Sequence, residues 1–176
     1  MLFVARVDLT KIKESSKSVD YWKKELNLFP SDKHYIESGG WLNDNIIMAA
    51  QVLMQRKYPQ INGLQTPILG ETLAFDVHVA GSQFVQVLNM SRNHWIMVTS
   101  IGCDVPNQVK VYDSFPSMDV PRRTKQQIAS LLFSNCHEIK LLFPNVQLQQ
   151  GSMDCGLFAL AFSVSLCAGQ DPSTTN

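Results

Sequence analysis

Gln149 to Gly169 reads QQGSMDCGLFALAFSVSLCAG, and the rest of the chain takes its meaning from this stretch. From Leu157 to Ala168 every residue is apolar except two small serines, so the spacing predicts a helix that belongs inside a domain. Ser152 and Asp154 are natural cap residues, which places the helix start near Cys155. A thiol in the first turn of a helix lies in the positive end of the helix dipole, and its thiolate is stabilised there. A cysteine taken alone is nevertheless more often an inert, buried small hydrophobe than a nucleophile. Cys155 therefore needs partners before it can be read chemically.

The chain of 176 residues has the length of one domain with a substantial core. Its 15 basic and 15 acidic residues cancel, which removes the charge basis for a non-specific grip on nucleic acid or an anionic membrane. The four cysteines, at 103, 136, 155 and 167, form no C-x-x-C pair, so neither a zinc site nor a disulfide framework is expected, and no cofactor is implied. The opening MLFVARVDL is apolar but short and carries Arg6 and Asp8, unlike a signal peptide, and no stretch has the length of a bilayer span. The expected setting is intracellular and reducing, in nucleus or cytoplasm, and the expected state is a monomer.

The segmentation reads as an N-terminal portion (1–40) holding one helix from Ser18 to Leu28, a main domain (41–170), and a polar tail (171–176). Residues 10–18 read as a loop. A second helix is expected from about Asp44 to Lys57, capped by Asn43 or Asp44, with Ile46, Ile47, Ala50, Leu53 and Met54 as its buried stripe and Pro59 ending it. Residues 58–83 contain Pro59, Gly63, Pro67, Gly70 and Gly81 and read as a long irregular connection. The period then changes from helix to strand at 84–89, 94–101 and 109–114, with a further helix at 123–133 and a fourth strand at 139–144.

The second and third strands form a hairpin whose turn lies at Gly102–Asn107. Counting outward from it brings His94 nearly opposite Asp113, within side-chain reach. A carboxylate on one ring nitrogen would fix the tautomer of His94 and leave the other to take a proton from a thiol. Attack on a carbonyl also builds an oxyanion, which needs donors already aimed at it. The side chain of Gln149 or of Gln150, with the backbone N–H of Cys155, can supply them, and Gly151 and Gly156 would let substrate and backbone approach closely.

The ordered set WLND (41–44), HW (94–95), Asp113 and Q-x-x-x-x-D-C-G (149–156) resembles the ubiquitin-like-protein proteases, the Ulp/SENP family that processes and removes SUMO. The order His, Asp, Gln, Cys is that family's and the reverse of papain's. The resemblance spans about Trp41 to Gly169, and the arrangement looks more like the protease domains of mobile elements in animal genomes than a dedicated cellular deSUMOylase. It implies an α+β papain-like fold of the adenain/Ulp type: a central mixed sheet, flanking helices and a buried helix carrying the nucleophile. It further implies Cys155 as nucleophile, His94 as general base then acid, Asp113 as orienter and Gln149 rather than Gln150 at the oxyanion position. Trp41 and Trp95 match the tryptophans that flank the Gly-Gly tail of the substrate, as two indole faces forming a slot, with Asp44, Gly151 and Gly156 as further substrate contacts. The implied reaction is cleavage after that tail through an acyl-enzyme, with SUMO, NEDD8 or ubiquitin as partner. Two alternatives use the same residues: an acetyltransferase of the related effector type, and a binding module without catalysis.

Overall fold

The two strongest β-patterns of the sequence pair to make the centre of the molecule. In the computed structural model, which describes residues 19–78, 82–105, 107–116, 119–132 and 137–173, β2 (Phe84–Met90) runs antiparallel to β3 (His94–Thr99). Strand β3 runs antiparallel to β4 (Gln108–Tyr112). The short β1 (Asn62–Gly63) adds parallel to β2, and β5 (Lys140–Leu142) adds parallel to β4, giving a mixed sheet in the order β1-β2-β3-β4-β5. Alternation along the strands sends side chains to two layers. Val85, Val87, Trp95, Met97 and Tyr112 pack against α2 (Asp44–Lys57) and α5 (Cys155–Cys167). Phe84, Leu88, Ile96, Val98, Val109 and Val111 form a second cluster with Ile128 and Leu131, at the end of α4 (Arg122–Ser130).

The expected helix from Ser18 to Leu28 is not present. Ser18 lies outside the described residues, and the rest forms one 3-10 turn, Lys24–Leu26, closed by a bridge between Lys23 and Leu28. The helix instead follows, as α1 (Pro30–Glu37), with proline in its first turn where a missing N–H costs nothing. Its buried Asp32 accepts a hydrogen bond from the Phe29 N–H at 2.8 Å and another from Asn43 Nδ2 at 2.7 Å. Asn43 in turn caps α2, its Oδ1 accepting from the Ile46 N–H at 3.0 Å. This chain of bonds fixes the WLND segment against the domain. Of the stripe expected on α2, Ile46, Ile47 and Met54 are buried, whereas Leu53 faces outward and the fully buried Gln51 faces in.

Gln51 explains how the 58–83 connection is held. Its Nε2 and that of Gln86 both donate to the Gln65 carbonyl, at 2.8 and 2.9 Å, while Gln86 Oε1 accepts from the Gln65 N–H. The connection also contains the single-turn α3 (Leu69–Thr72). At Gly63, with φ of 83°, an added Cβ would lie 2.2 Å from the Val85 carbonyl oxygen, so only glycine permits β1 to pair with β2. Beyond α5, Asp171 is not part of a loose tail: its carboxylate receives Tyr112 Oη at 2.8 Å and Lys110 Nζ at 3.0 Å. The loop expected at 10–18, Phe133 at the end of the α4 pattern, and residues 174–176 lie outside the described residues.

Candidate active site

Helix α5 begins at Cys155, with Asp154 at the cap position but making no side-chain capping bond. The helix packs on β3, β2 and α2, so its first turn is delivered to the rim where β3 starts and β4 ends. Burial is one-sided: Leu157 is 55% exposed and Val164 faces outward as well, which the uniformly apolar sequence did not disclose. Gly156 is buried because a Cβ there would lie 3.0 Å from Leu42 Cβ and 3.1 Å from Trp95 Cδ1. Its glycine character serves close packing of the helix on these two side chains.

His94 is the first residue of β3, and Asp113 follows the last residue of β4. The register pairs Met97 with Tyr112, so continuing the ladder would set Asp113 across from Ile96 rather than His94. The two are diagonal neighbours on one face, a separation that longer side chains span. They meet: His94 Nε2 lies 2.6 Å from Asp113 Oδ1, which also accepts the Phe115 N–H at 2.9 Å. The other ring nitrogen is left for Cys155, and the two side chains lie close enough for each to shift the other's pKa.

The electrostatics follow from these contacts. Burial alone would lower the pKa of His94, but hydrogen bonds and charge attraction from Asp113 and Cys155 outweigh it and raise the value from 6.5 to about 9. Burial likewise opposes ionisation of Cys155. Hydrogen bonds from the His94 ring, the Trp95 backbone and the Trp41 indole, with the charge of His94, nevertheless bring the thiol below its ordinary 9.0. Both shifts run in the sense that favours a thiolate beside an imidazolium.

Gln149 is buried on the irregular segment leading to α5, its N–H donating to the Ser114 carbonyl at 2.9 Å. Its side-chain oxygen accepts from Ser114 Oγ at 2.7 Å, and its Nε2 donates to the Gly151 carbonyl. The amide is thereby locked in one sense, with a second N–H still to give. Ser114 and Phe115, the two residues after Asp113, are not singled out by the sequence pattern.

Trp95 is fully buried, its Nε1 donating to the Leu42 carbonyl at 2.7 Å, and Trp41 stacks on it with ring centroids 5.5 Å apart. A peptide between two rings needs them about 7 Å apart, twice a van der Waals contact. The pair is therefore closed, and the expected slot is not open in this structure. Cys155 is itself only 1% exposed, and the half-buried Trp41 reaches its sulfur. Asp44 is exposed on the first turn of α2, beside a recess shared with Glu71, Asn89 and Arg92. Its carboxyl is pushed up, first by burial and then by the charge of Glu71. Gly151 is exposed on the loop before α5. Among the described residues no group of three His, Cys, Asp or Glu side chains converges as a metal ion would require.

No protein-family model and no curated protein sequence matches the chain. Solved structures do. The C-terminal Ulp1 protease domain in complex with Smt3, the yeast ortholog of SUMO, superposes with a TM-score of 0.63 at 12% identity, over 93% of this chain and 84% of that one. The catalytic domain of the Ulp1-like SUMO protease of Chaetomium thermophilum gives 0.59 at 16%, over 96% and 81%. The Xanthomonas campestris effector XopD, solved bound to ubiquitin, gives 0.52 at 13%, over 74% and 78%. The chain has the α+β fold of the Ulp1-type protease domains, and its Cys155, His94 and Asp113 meet at one end of that fold's sheet.

Proposed function

We propose that the chain is a thiol peptidase that cleaves after the C-terminal Gly-Gly of a ubiquitin-like modifier, with a SUMO-like protein as the first candidate. One observation carries this reading: a thiol at the first position of a helix lies beside an imidazole whose far nitrogen is 2.6 Å from a carboxylate. That arrangement is a nucleophile, a base and an orienter in series. The likeness to domains solved with Smt3 and ubiquitin supports the choice of substrate class.

The Cys155 thiolate attacks the carbonyl carbon of the terminal glycine, forming a C–S bond and an oxyanion. The backbone N–H of Cys155, in the first turn of the helix, and the second amide N–H of Gln149 would receive that charge. The imidazolium of His94 gives its proton to the departing nitrogen as the C–N bond breaks. Water then attacks the thioester, His94 takes a proton from it, and the modifier leaves with a free carboxylate while the thiolate is restored. The fixed Asp113 stabilises the charged ring in both halves. A depressed thiol pKa is of no use to a pure binding module, and nothing in the site favours acetyl transfer. A reducing intracellular compartment, nucleus or cytoplasm, belongs to the same proposal because the chemistry needs a free thiol.

The test is a panel of SUMO, NEDD8 and ubiquitin, each carrying a C-terminal electrophile in place of the last carboxylate. One of them should label the protein, and Cys155→Ala should abolish the label. Labelling that survives this substitution would remove Cys155 from its role, and a protein inert to all three would remove the substrate class.

A further inference from the structure

A recess of about 330 Å³ is lined by Asp113 but by neither His94 nor Cys155, and the reaction proposed above does not account for it. Its floor is the buried Val111 and its walls include Asp113, Pro116, Phe143 and Leu148. Phe143 is 54% exposed and Leu148 57% exposed, and Phe115, beside Pro116, is 65% exposed with its ring edge-on to His94 at 6.5 Å. Single apolar side chains at a surface mean little, but two large ones lining one recess, with Phe115 exposed next to its Pro116, mark a contact surface.

The chemistry of the site decides what crosses that surface. The proton for the leaving nitrogen comes from His94, so the leaving chain departs on the histidine side of the thiol. The Gly-Gly tail arrives from the other side, where Trp41 and Trp95 stand. Asp113 backs the ring and also lines the recess, so the two are joined through this one residue. An extended chain advances about 3.3 Å per residue, so a chain leaving along the line from thiol to ring to Asp113 passes those groups within two or three residues. Its lining offers apolar surface and no basic side chain.

We propose that this recess binds an apolar side chain of the leaving polypeptide, two or three residues beyond the scissile bond, with Phe143 and Leu148 as the specificity-determining residues. The inference rests on the peptidase reading and adds a second recognition element to it. The enzyme then reads both sides of the cut: a Gly-Gly tail before it and an apolar residue shortly after it.

The experiment uses the full chain and whichever of SUMO or ubiquitin it accepts, extended after Gly-Gly by peptides that differ only at the second and third added residues, phenylalanine in one and aspartate in the other. The same modifier as a C-terminal methyl ester, which has no leaving chain, is measured in parallel. The phenylalanine extension should be cut with a kcat/KM about tenfold higher than the aspartate extension, the discrimination expected for partial burial of one aromatic ring. In Phe143→Ser/Leu148→Ser that ratio should fall towards one, and in Phe143→Lys it should turn in favour of aspartate. Ester turnover with equal rates on the two extensions, or a ratio that persists in both variants, would overturn this inference and leave the peptidase intact. Failure of the wild-type protein to turn over any ester would overturn the peptidase reading and this inference together.

Discussion

Asp113→Asn removes one charge from the site and almost nothing else. The carboxylate is nearly buried, and an asparagine oxygen in the same place can still accept the Phe115 N–H that Asp113 Oδ1 now holds. What it cannot do is favour the charged ring. In the wild type His94 stands at about 9 against an ordinary 6.5, which corresponds to about 3 kcal/mol in favour of imidazolium, contributed jointly by Asp113 and Cys155. Asparagine also accepts either tautomer, so the ring nitrogen facing Cys155 is no longer assigned. By analogy with loss of the orienting carboxylate in serine proteases, kcat/KM should fall about three to four orders of magnitude. The assay is turnover of a modifier methyl ester across pH, with iodoacetamide alkylation of Cys155 as a separate measure of thiolate. In the wild type, turnover should decline as pH rises through about 9, where His94 loses its proton. In the variant that decline should move to lower pH, and alkylation should rise only nearer the ordinary thiol value. The linked stability has a definite sign. A raised histidine pKa stabilises the fold fully below 6.5, and this contribution is lost as pH rises through about 9. Thermal melts of wild type and variant should therefore converge over that interval. A variant with wild-type turnover and an unmoved alkylation profile would refute the assignment of Asp113.

Much of this arrangement was legible because it depends on local pattern. The strands at 84–90, 94–99 and 108–112 carry β-branched and aromatic runs bounded by turns, and the helix before Pro59 has its own cap. The hairpin count found the right pair of residues by a wrong register: His94 and Asp113 are diagonal, not opposed, and only the reach of the histidine ring makes the count serve. The helix expected near Trp22 failed because Trp22 and Leu26 pack on the core from a single 3-10 turn and its flank, while Val19 of the same stripe is exposed. The true helix announced itself in Phe29-Pro30-Ser31-Asp32, a proline at the first position with an acidic residue two places on. Long-range polar bonds left no trace in the pattern. Nothing in the spacing of Gln51, Gln65 and Gln86 foretells that they hold one another, nor that Ser114 locks the amide of Gln149. The exposed face of α5 was hidden for the opposite reason, since Leu157 and Val164 are as apolar as their buried neighbours.

On the proposed mechanism, Gln149→Ala should lower kcat about 10²- to 10³-fold while iodoacetamide alkylation of Cys155 persists, and equal losses of both would make Gln149 structural. Ser114→Ala, which frees the Gln149 amide to turn, should cost less turnover than Gln149→Ala, together with about 1–3 kcal/mol of stability in urea for the buried acceptor left unpaired. Gly63→Ala should destabilise by more than about 1 kcal/mol in the same assay, because its Cβ would meet the Val85 carbonyl at 2.2 Å in a left-handed backbone. Trp41→Ala is the most discriminating change, because it should move two rates in opposite directions. Trp41 covers a sulfur that is 1% exposed and closes against the fixed face of Trp95, so the tail can enter only if this ring swings away and comes to rest against it. Measured above pH 9, where loss of the indole hydrogen bond no longer limits thiolate, alkylation by iodoacetamide should quicken in the variant as the cover is removed. Turnover of the Gly-Gly substrate should instead fall about ten- to a hundredfold, the contact of one large aromatic having been lost. A variant in which both rates rise would show Trp41 to be only an obstruction, and one in which both fall would show it to be a structural support of the thiol; either result would end its role as the movable wall of the tail site.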